Sequence, residues 1–291
     1  MRNHKSFFSL EQMAHILGVS RSGYYDFIKR LPSARELENE KLIKKIKTIF
    51  EESFETYGSP RIHAELLEER VPCSRRKVAR LMKQNNLQAK MYKKFVKTTK
   101  RSKKSFYPTQ DLVQQDFSPA LPNTIWVADI SFVWVSNRWA YLAIVLDLFS
   151  RKVVGMALQD TMKTSLILEA LNQALLLRRP PCGLIHHSDL GSQYTSHELH
   201  KIAKKYGIKL SHGKTGSAYD NAVMESFFHT LKTELIYFKN YQSLEEAKID
   251  IFKYIFTFYN NKRRHSTLNY KNPNQYEIYH QQTKFISVRS V

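Results

Sequence analysis

The stretch Ile125-Trp126-Val127-Ala128-Asp129-Ile130-Ser131-Phe132 decides how the chain is read. Its β-branched and aromatic side chains favour an extended backbone, and one carboxylate, Asp129, sits inside the run. Two more β-rich runs follow, Trp139–Leu146 and Lys152–Leu158, joined by Asp147-Leu148-Phe149-Ser150-Arg151. A helix is expected from about Thr164 to Leu177, stopped by Pro180-Pro181. A strand Leu184–His187, a helix Ser196–Tyr206, a strand Ile208–Ser211, a loop and a helix Ala222–Tyr237 complete the series. Three strands followed by alternating helices and strands fit an α/β (α+β mixed) domain, with a mixed five-stranded sheet flanked by helices.

That order is the order of a ribonuclease-H-like core, in which the first and fourth strands are neighbours. Asp129 and Asp189 would then meet, although 59 residues lie between them. Glu225 follows Asp189 after 35 intervening residues, near the start of the last helix. Three carboxylates on rigid elements suit a hard cation. Magnesium takes oxygen ligands and leaves positions open for phosphate oxygens. Two such ions about 3.5–4 Å apart clamp the attacking and leaving oxygens of an in-line phosphoryl displacement. The expected cofactor is therefore magnesium, as two ions, with manganese as a substitute.

On the helix 222–237, Val223, Phe227, Leu231 and Leu235 recur at four-residue steps and form the expected buried stripe. Glu225, His229 and Lys232 share another face, where a carboxylate and a lysine can serve metal and DNA together. An exposed Glu–Lys face is the plainer reading of the same spacing. His186 and His187 precede Asp189; each is a candidate metal ligand or proton carrier, with a satisfied structural role favoured. Asp147, Asp116 and Asp220 compete with the triad: Asp147 as a turn or ion-pair residue beside Arg151, Asp220 as an N-cap. The run His212-Gly213-Lys214-Thr215 is no phosphate-binding P-loop, because Ile208 stands where the first glycine is needed. The stretch with Gly213, Gly216 and Ser217 reads as a mobile loop that positions Glu225.

The N-terminal part is helical. Ser9 with Gln12 suggests a capping box, Gly18 a helix end and Ser20 a second cap, so residues 1–32 read as a helix-turn-helix segment or a plain helical hairpin. Residues 33–87 form a second such unit: an amphipathic helix with Leu42, Ile46, Ile49 and Phe50 inward, a helix begun by Pro60 with Ile62, Leu66 and Leu67 inward, and a helix capped by Ser74. Arg75, Arg76, Lys77, Arg80 and Lys83 give that last helix a basic face expected on DNA.

Charge supports a nucleic-acid partner. The 291 residues carry a net charge of +20, with 25 basic against 11 acidic residues over 1–110 and 21 against 15 over 111–291. From Val71 to Gln110 there are 13 Lys/Arg and no acid. A chain this basic is expected to meet a polyanion, and residues 88–118 read as a basic linker that tracks phosphates. Residues 119–240 are the expected catalytic core, and residues 241–291 a last helix with a basic tail whose Arg263, Arg264 and His265 are expected on DNA. Two cysteines without CxxC spacing build no zinc site. No apolar stretch approaches the length of a membrane span, and no membrane partner is expected.

Taken in order, these strings resemble the second-reading-frame product, OrfB, of the insertion-sequence-three family of transposases, DDE recombinases similar to retroviral integrases. The resemblance rests on Leu17-Gly18-Val19-Ser20-Arg21-Ser22-Gly23-Tyr24-Tyr25, Tyr57-Gly58-Ser59-Pro60-Arg61-Ile62 and Trp126-Val127-Ala128-Asp129-Ile130. It continues through Asp147-Leu148-Phe149-Ser150-Arg151, His187-Ser188-Asp189-Leu190-Gly191-Ser192-Gln193-Tyr194, Asp220-Asn221-Ala222-Val223-Met224-Glu225-Ser226, Tyr259-Asn260 and Arg264-His265. It implies that Asp129, Asp189 and Glu225 are the catalytic, metal-binding triad and that Lys232 is the basic residue following the glutamate. The implied substrate is double-stranded DNA, both the element's terminal inverted repeats and the target, cut and joined by a homo-oligomer in the bacterial cytosol or nucleoid. The family's usual partner is the upstream OrfA product, often fused to OrfB. Ser131, Asn269 and Asn272 depart from the family pattern without touching the triad. A non-catalytic DNA-binding regulator and a nuclease that cuts without joining are the alternative functions.

Overall fold

The computed structural model describes residues 1–90, 110–114, 116–213 and 222–289. Most of the expected basic linker, together with Gly216, Ser217 and the expected cap Asp220, lies outside the described residues.

Five helices open the chain: α1 (Leu10–Leu17), α2 (Arg21–Lys29), α3 (Ala34–Glu52), α4 (Ser59–Glu68) and α5 (Arg75–Gln84). Their starts are written locally. The Ser9 hydroxyl accepts from Gln12 N while the Gln12 side chain accepts from Ser9 N, closing a capping box. Ser20 and Ser74 cap α2 and α5 in the same manner. Gly18 ends α1 at φ +63°, a conformation that favours glycine. Leu42, Ile46, Ile49, Phe50, Ile62, Leu66, Val78, Leu81 and Met82 join α3, α4 and α5 around one interior. Leu67 does not join them. Expected inward, it is 52% exposed, because the residues of α4 that turn inward are Ile62 and Leu66.

The sheet comprises β1 (Ile125–Val135), β2 (Arg138–Asp147), β3 (Lys152–Gln159), β4 (Ile185–Ser188) and β5 (Lys209–His212), in the spatial order β3-β2-β1-β4-β5. This is the ribonuclease-H-like arrangement. β1 and β2 form a hairpin whose two turn residues, Ser136 and Asn137, take φ +43° and +62°, the positive pair that a two-residue turn needs to match strand twist. β4 lies parallel to β1 over Ile125↔Ile185, Trp126↔His186 and Val127↔His187.

Alternation along the strands divides the core in two. Trp126, Ala128, Ala143 and Val145 face α6 (Thr164–Arg178) and α7 (His197–Tyr206). Val127, Val133, Leu142 and Ile144 face α8 (Ala222–Glu234), α9 (Leu244–Lys253) and the turns of Tyr254–Tyr259, in a cluster continuous with the interior of α3–α5. β3 lies so close to α6 that a Cβ on Gly155 would collide with the Ala170 carbonyl oxygen. On its outer side the Asn260 amide accepts from Val153 N and donates to Val153 O, at 3.0 and 2.9 Å. The bond-forming edge there is satisfied by a side chain.

The expected basic tail is not a tail. After Asn260 the chain turns and forms α10 (Pro273–Arg289), with Asn272 accepting from Gln275 N at 2.8 Å and Pro273 at the first position. Glu277 on α10 is buried against Arg178, Lys152 and Ser150. No described helix is long and apolar enough to cross a membrane.

Candidate active site

The parallel register Val127↔His187 carries Asp129 and Asp189, each two residues further on, to the same end of the sheet. Asp129 shares the face of Val127 and Val133, the side covered by α8, and its Oδ1 accepts from Ile130 N at 2.7 Å. Burial, then the Asp189 charge, push its carboxyl up to about 7; Glu225 pushes the same way, and Lys232 opposes them. Asp129 thus feels the charges of Asp189, Glu225 and Lys232. Among the described residues no group of three His, Cys, Asp or Glu side chains is drawn close enough to hold a metal ion. The donors nonetheless suit a hard cation: all are carboxylate oxygens, and their mutual repulsion is what such a cation relieves.

Glu225 is exposed in the first turn of α8, on the face it shares with His229 and Lys232. Lys232 is partly buried; desolvation lowers its ammonium while Asp129 holds it up. The opposite side of α8 buries Met224, Phe227, Phe228 and Leu231, and the stripe continues to Leu235 beyond the helix end. Val223, expected in that stripe, is only partly buried.

Asp189 is exposed just past β4, and its Oδ1 accepts from Gly191 N at 3.1 Å. A Cβ on Gly191 would press on that oxygen, so the glycine keeps the turn tight. The His212 ring lies with Nδ1 3.2 Å from the Asp189 carbonyl oxygen and 3.3 Å from Ser188 Oγ. Sequence reasoning missed both supports; a histidine ending the neighbouring strand was the available signal. It also missed Tyr194. That phenol is buried with no hydrogen-bond partner among the described residues and is held neutral by burial and by the charges of Asp129 and Asp189. His186 is buried and pushed down to about 4, so it is neutral at ordinary pH. His187 Nδ1 lies 2.9 Å from Ser211 Oγ.

Asp147 is fully buried on the far side of the sheet end. It accepts from Asn123 N and Phe149 N and pairs with Arg178, not Arg151.

The expected DNA contacts divide. Arg75, Arg76, Arg80 and Lys83 are exposed on α5, whereas Lys77 turns back to Glu38 on α3 at 2.6 Å. Arg263, Arg264 and His265 are a correction. Arg263 is buried and grips Glu234, the last residue of α8, through Nε to Oε2 at 2.8 Å and Nη2 to Oε1 at 2.6 Å. Tyr254 OH donates to the same carboxylate at 2.7 Å, and Arg61 on α4 approaches it at 3.4 Å. Arg264 is buried against Glu65, at 2.7 and 2.6 Å, and Glu68. His265 is desolvated and held well below its ordinary value, with its ring against Tyr259. The two arginines are neutralised inside the protein and are not available to phosphates.

The chain matches the integrase core domain family over residues 119–218 and again over residues 206–273, and an HTH-like domain family over residues 36–95. It is 40% identical over 270 residues to the insertion element IS600 uncharacterized 31 kDa protein of Shigella sonnei, covering 92% of this chain and 99% of that protein. It is 34% identical over 279 residues to transposase InsF for insertion sequence IS3A of Escherichia coli strain K12, covering 95% and 96%. The chain belongs to the insertion-sequence-three family of transposases. The transposase for insertion sequence element IS904 of Lactococcus lactis subsp. lactis (strain IL1403) is 38% identical over 250 residues, covering 86% and 98%. Among solved structures the chain is similar to the HTLV-2 integrase catalytic core domain in complex with magnesium (trimeric form), at 21% identity and a TM-score of 0.44, over 54% of this chain and 98% of that one.

Proposed function

We propose that Asp129, Asp189 and Glu225 are the catalytic triad of a DNA strand-transfer enzyme, holding two magnesium ions, with manganese as a substitute. The observation that supports this reading is that parallel pairing of β1 and β4 brings Asp129 and Asp189 to one end of the sheet, where burial and then the charges of Asp189 and Glu225 push Asp129 up to about 7. Bound cations would supply charge neutralisation at the scissile phosphate and polarise the attacking oxygen. Asp129 and Asp189 fix the site from the sheet, and Glu225 closes it from α8. Lys232 adds a positive charge where phosphate oxygens would lie.

Two displacements at phosphorus follow. In the first, a water oxygen bonds to the phosphorus at the element's end, and the bond to the 3′-oxygen breaks, leaving a 3′-hydroxyl. In the second, that hydroxyl's oxygen attacks another phosphodiester and loses its proton as a second 3′-oxygen departs and is protonated. The family resemblance supports attack on the other end of the same element, giving a circular intermediate. Double-stranded DNA is the substrate, held through the exposed cations of α5. Joining two ends calls for an assembly of more than one chain, in which the upstream OrfA product is the expected partner.

Labelled element-end DNA incubated with magnesium, with and without that partner, tests the reading. Joined products are expected. Asp129→Asn, Asp189→Asn and Glu225→Gln should each abolish them and leave end binding intact. Cut but unjoined DNA identifies a nuclease instead. Full joining by any of the three variants removes that residue from the triad.

A further inference from the structure

Trp134 and Trp139 face each other across the β1–β2 hairpin and are 46% and 54% exposed. Their rings meet edge to face with centroids 4.8 Å apart. The next pair inward continues the row: Phe132 lies 6.1 Å from Trp139 and 5.4 Å from Tyr141. Alternation puts all four on the sheet face of Trp126 and Ala128. There α6 covers the inner residues, and the two tryptophans remain in water. Contiguous apolar surface of this kind marks a binding face more often than chance exposure. The Ser136-Asn137 turn fixes the row's angle, and Arg138, in that turn's flank, is itself exposed.

The row lies on the sheet face opposite Asp129, and its hairpin end is linked to the turn that follows β4. Arg138 approaches Asp160 at 3.9 Å, and two residues later the Met162 carbonyl accepts from Gln193 Nε2 at 3.0 Å. Gln193 belongs to the turn that begins at Asp189. Along β1, Trp134 stands five residues beyond Asp129, about 17 Å at roughly 3.3 Å per residue, and this odd step puts the two on opposite faces.

We propose that this row is a stacking platform for unpaired nucleobases, occupied by single-stranded DNA. Flat aromatic faces bind any base, because every base has a π-face. The flanking Arg138 and the chain's net charge of +20 favour a polyanion over a second copy of this equally basic chain. The inference rests on the proposed function only for DNA as the partner, so its test avoids catalysis.

The chain has three tryptophans, and Trp126 is fully buried. Tryptophan emission of the metal-free, full-length protein, titrated with a short thymine oligonucleotide, therefore reads Trp134 and Trp139. Quenching is expected. Trp134→Ala and Trp139→Ala should each weaken single-strand binding about tenfold, with duplex binding and melting temperature unchanged; Trp139→Tyr should retain most of it. Unquenched emission, or unchanged single-strand affinity in both alanine variants, overturns the proposal. So does a wild-type dimer that Trp139→Ala converts to monomer in sedimentation, which assigns the face to a second copy. Quenching that persists in Asp129→Asn separates this proposal from the fate of the triad.

Discussion

Arg263 and Glu234 form a two-point ion pair inside the protein, 29 residues apart in sequence and joined at 2.8 and 2.6 Å. Removing one partner of a buried pair leaves the other charged and desolvated, which costs about 3–5 kcal/mol. Arg263→Ala should lower stability by that amount in urea unfolding, and Arg263→Met with Glu234→Leu should recover most of it. A double-variant loss equal to the sum of the two single losses would show that the pair is not coupled.

Asp129 sets a pH dependence. Its carboxyl is pushed up to about 7 from an ordinary 3.8. Between those values the folded chain keeps a proton that the unfolded chain has released. Stability therefore falls as pH rises through that window, by at most about 1.4 kcal/mol per pH unit from this group. With chelator present, Asp129→Asn should be more stable than the native chain at pH 8 and equal to it at pH 4. Added magnesium should narrow the gap at pH 8. A gap independent of pH would contradict the burial and repulsion described at Asp129.

The two basic clusters should behave differently toward DNA. Arg76→Ala, Arg80→Ala and Lys83→Ala are each expected to reduce the slope of log affinity against log salt by about 0.9, the loss of one phosphate contact. Arg264→Ala should leave that slope unchanged and lower the unfolding midpoint instead, because its guanidinium is held by Glu65 and Glu68. Salt titration and thermal melting of the same four variants separate the roles.

Gly155 permits the close approach of β3 to α6. Gly155→Ala forces a methyl group against the Ala170 carbonyl, an overpacking worth about 1–3 kcal/mol. A lowered melting temperature is expected; an unchanged one would mean the helix moves away freely.

The elements were legible because their signals are local. Ser9, Ser20 and Ser74 announce helix starts, and the β-branched and aromatic run from Ile125 to Phe132 writes β1 into the sequence. The approach of Asp129 to Asp189 followed from strand order, since parallel pairing of β1 and β4 sets it. What stayed hidden depends on partners distant in the chain. Arg263 and Arg264 look like a surface cluster because nothing near them says that Glu234 and Glu65 will enclose them. Leu67 fits an inward pattern as well as Leu66 does, and only the packing of α3 and α5 decides between them. Tyr194 gave no sign of its buried hydroxyl, because its meaning comes from two aspartates brought up by other strands.

Glu234 ends the helix whose first turn holds Glu225, and its carboxylate also meets Arg61 on α4, the neighbour of α5. If α5 carries the duplex as proposed, this joint ties the bearing of the DNA to the helix that holds Glu225. Shortening its reach by a single methylene, as in Glu234→Asp, would then misdirect the DNA end while leaving all three acids of the proposed triad in the chain.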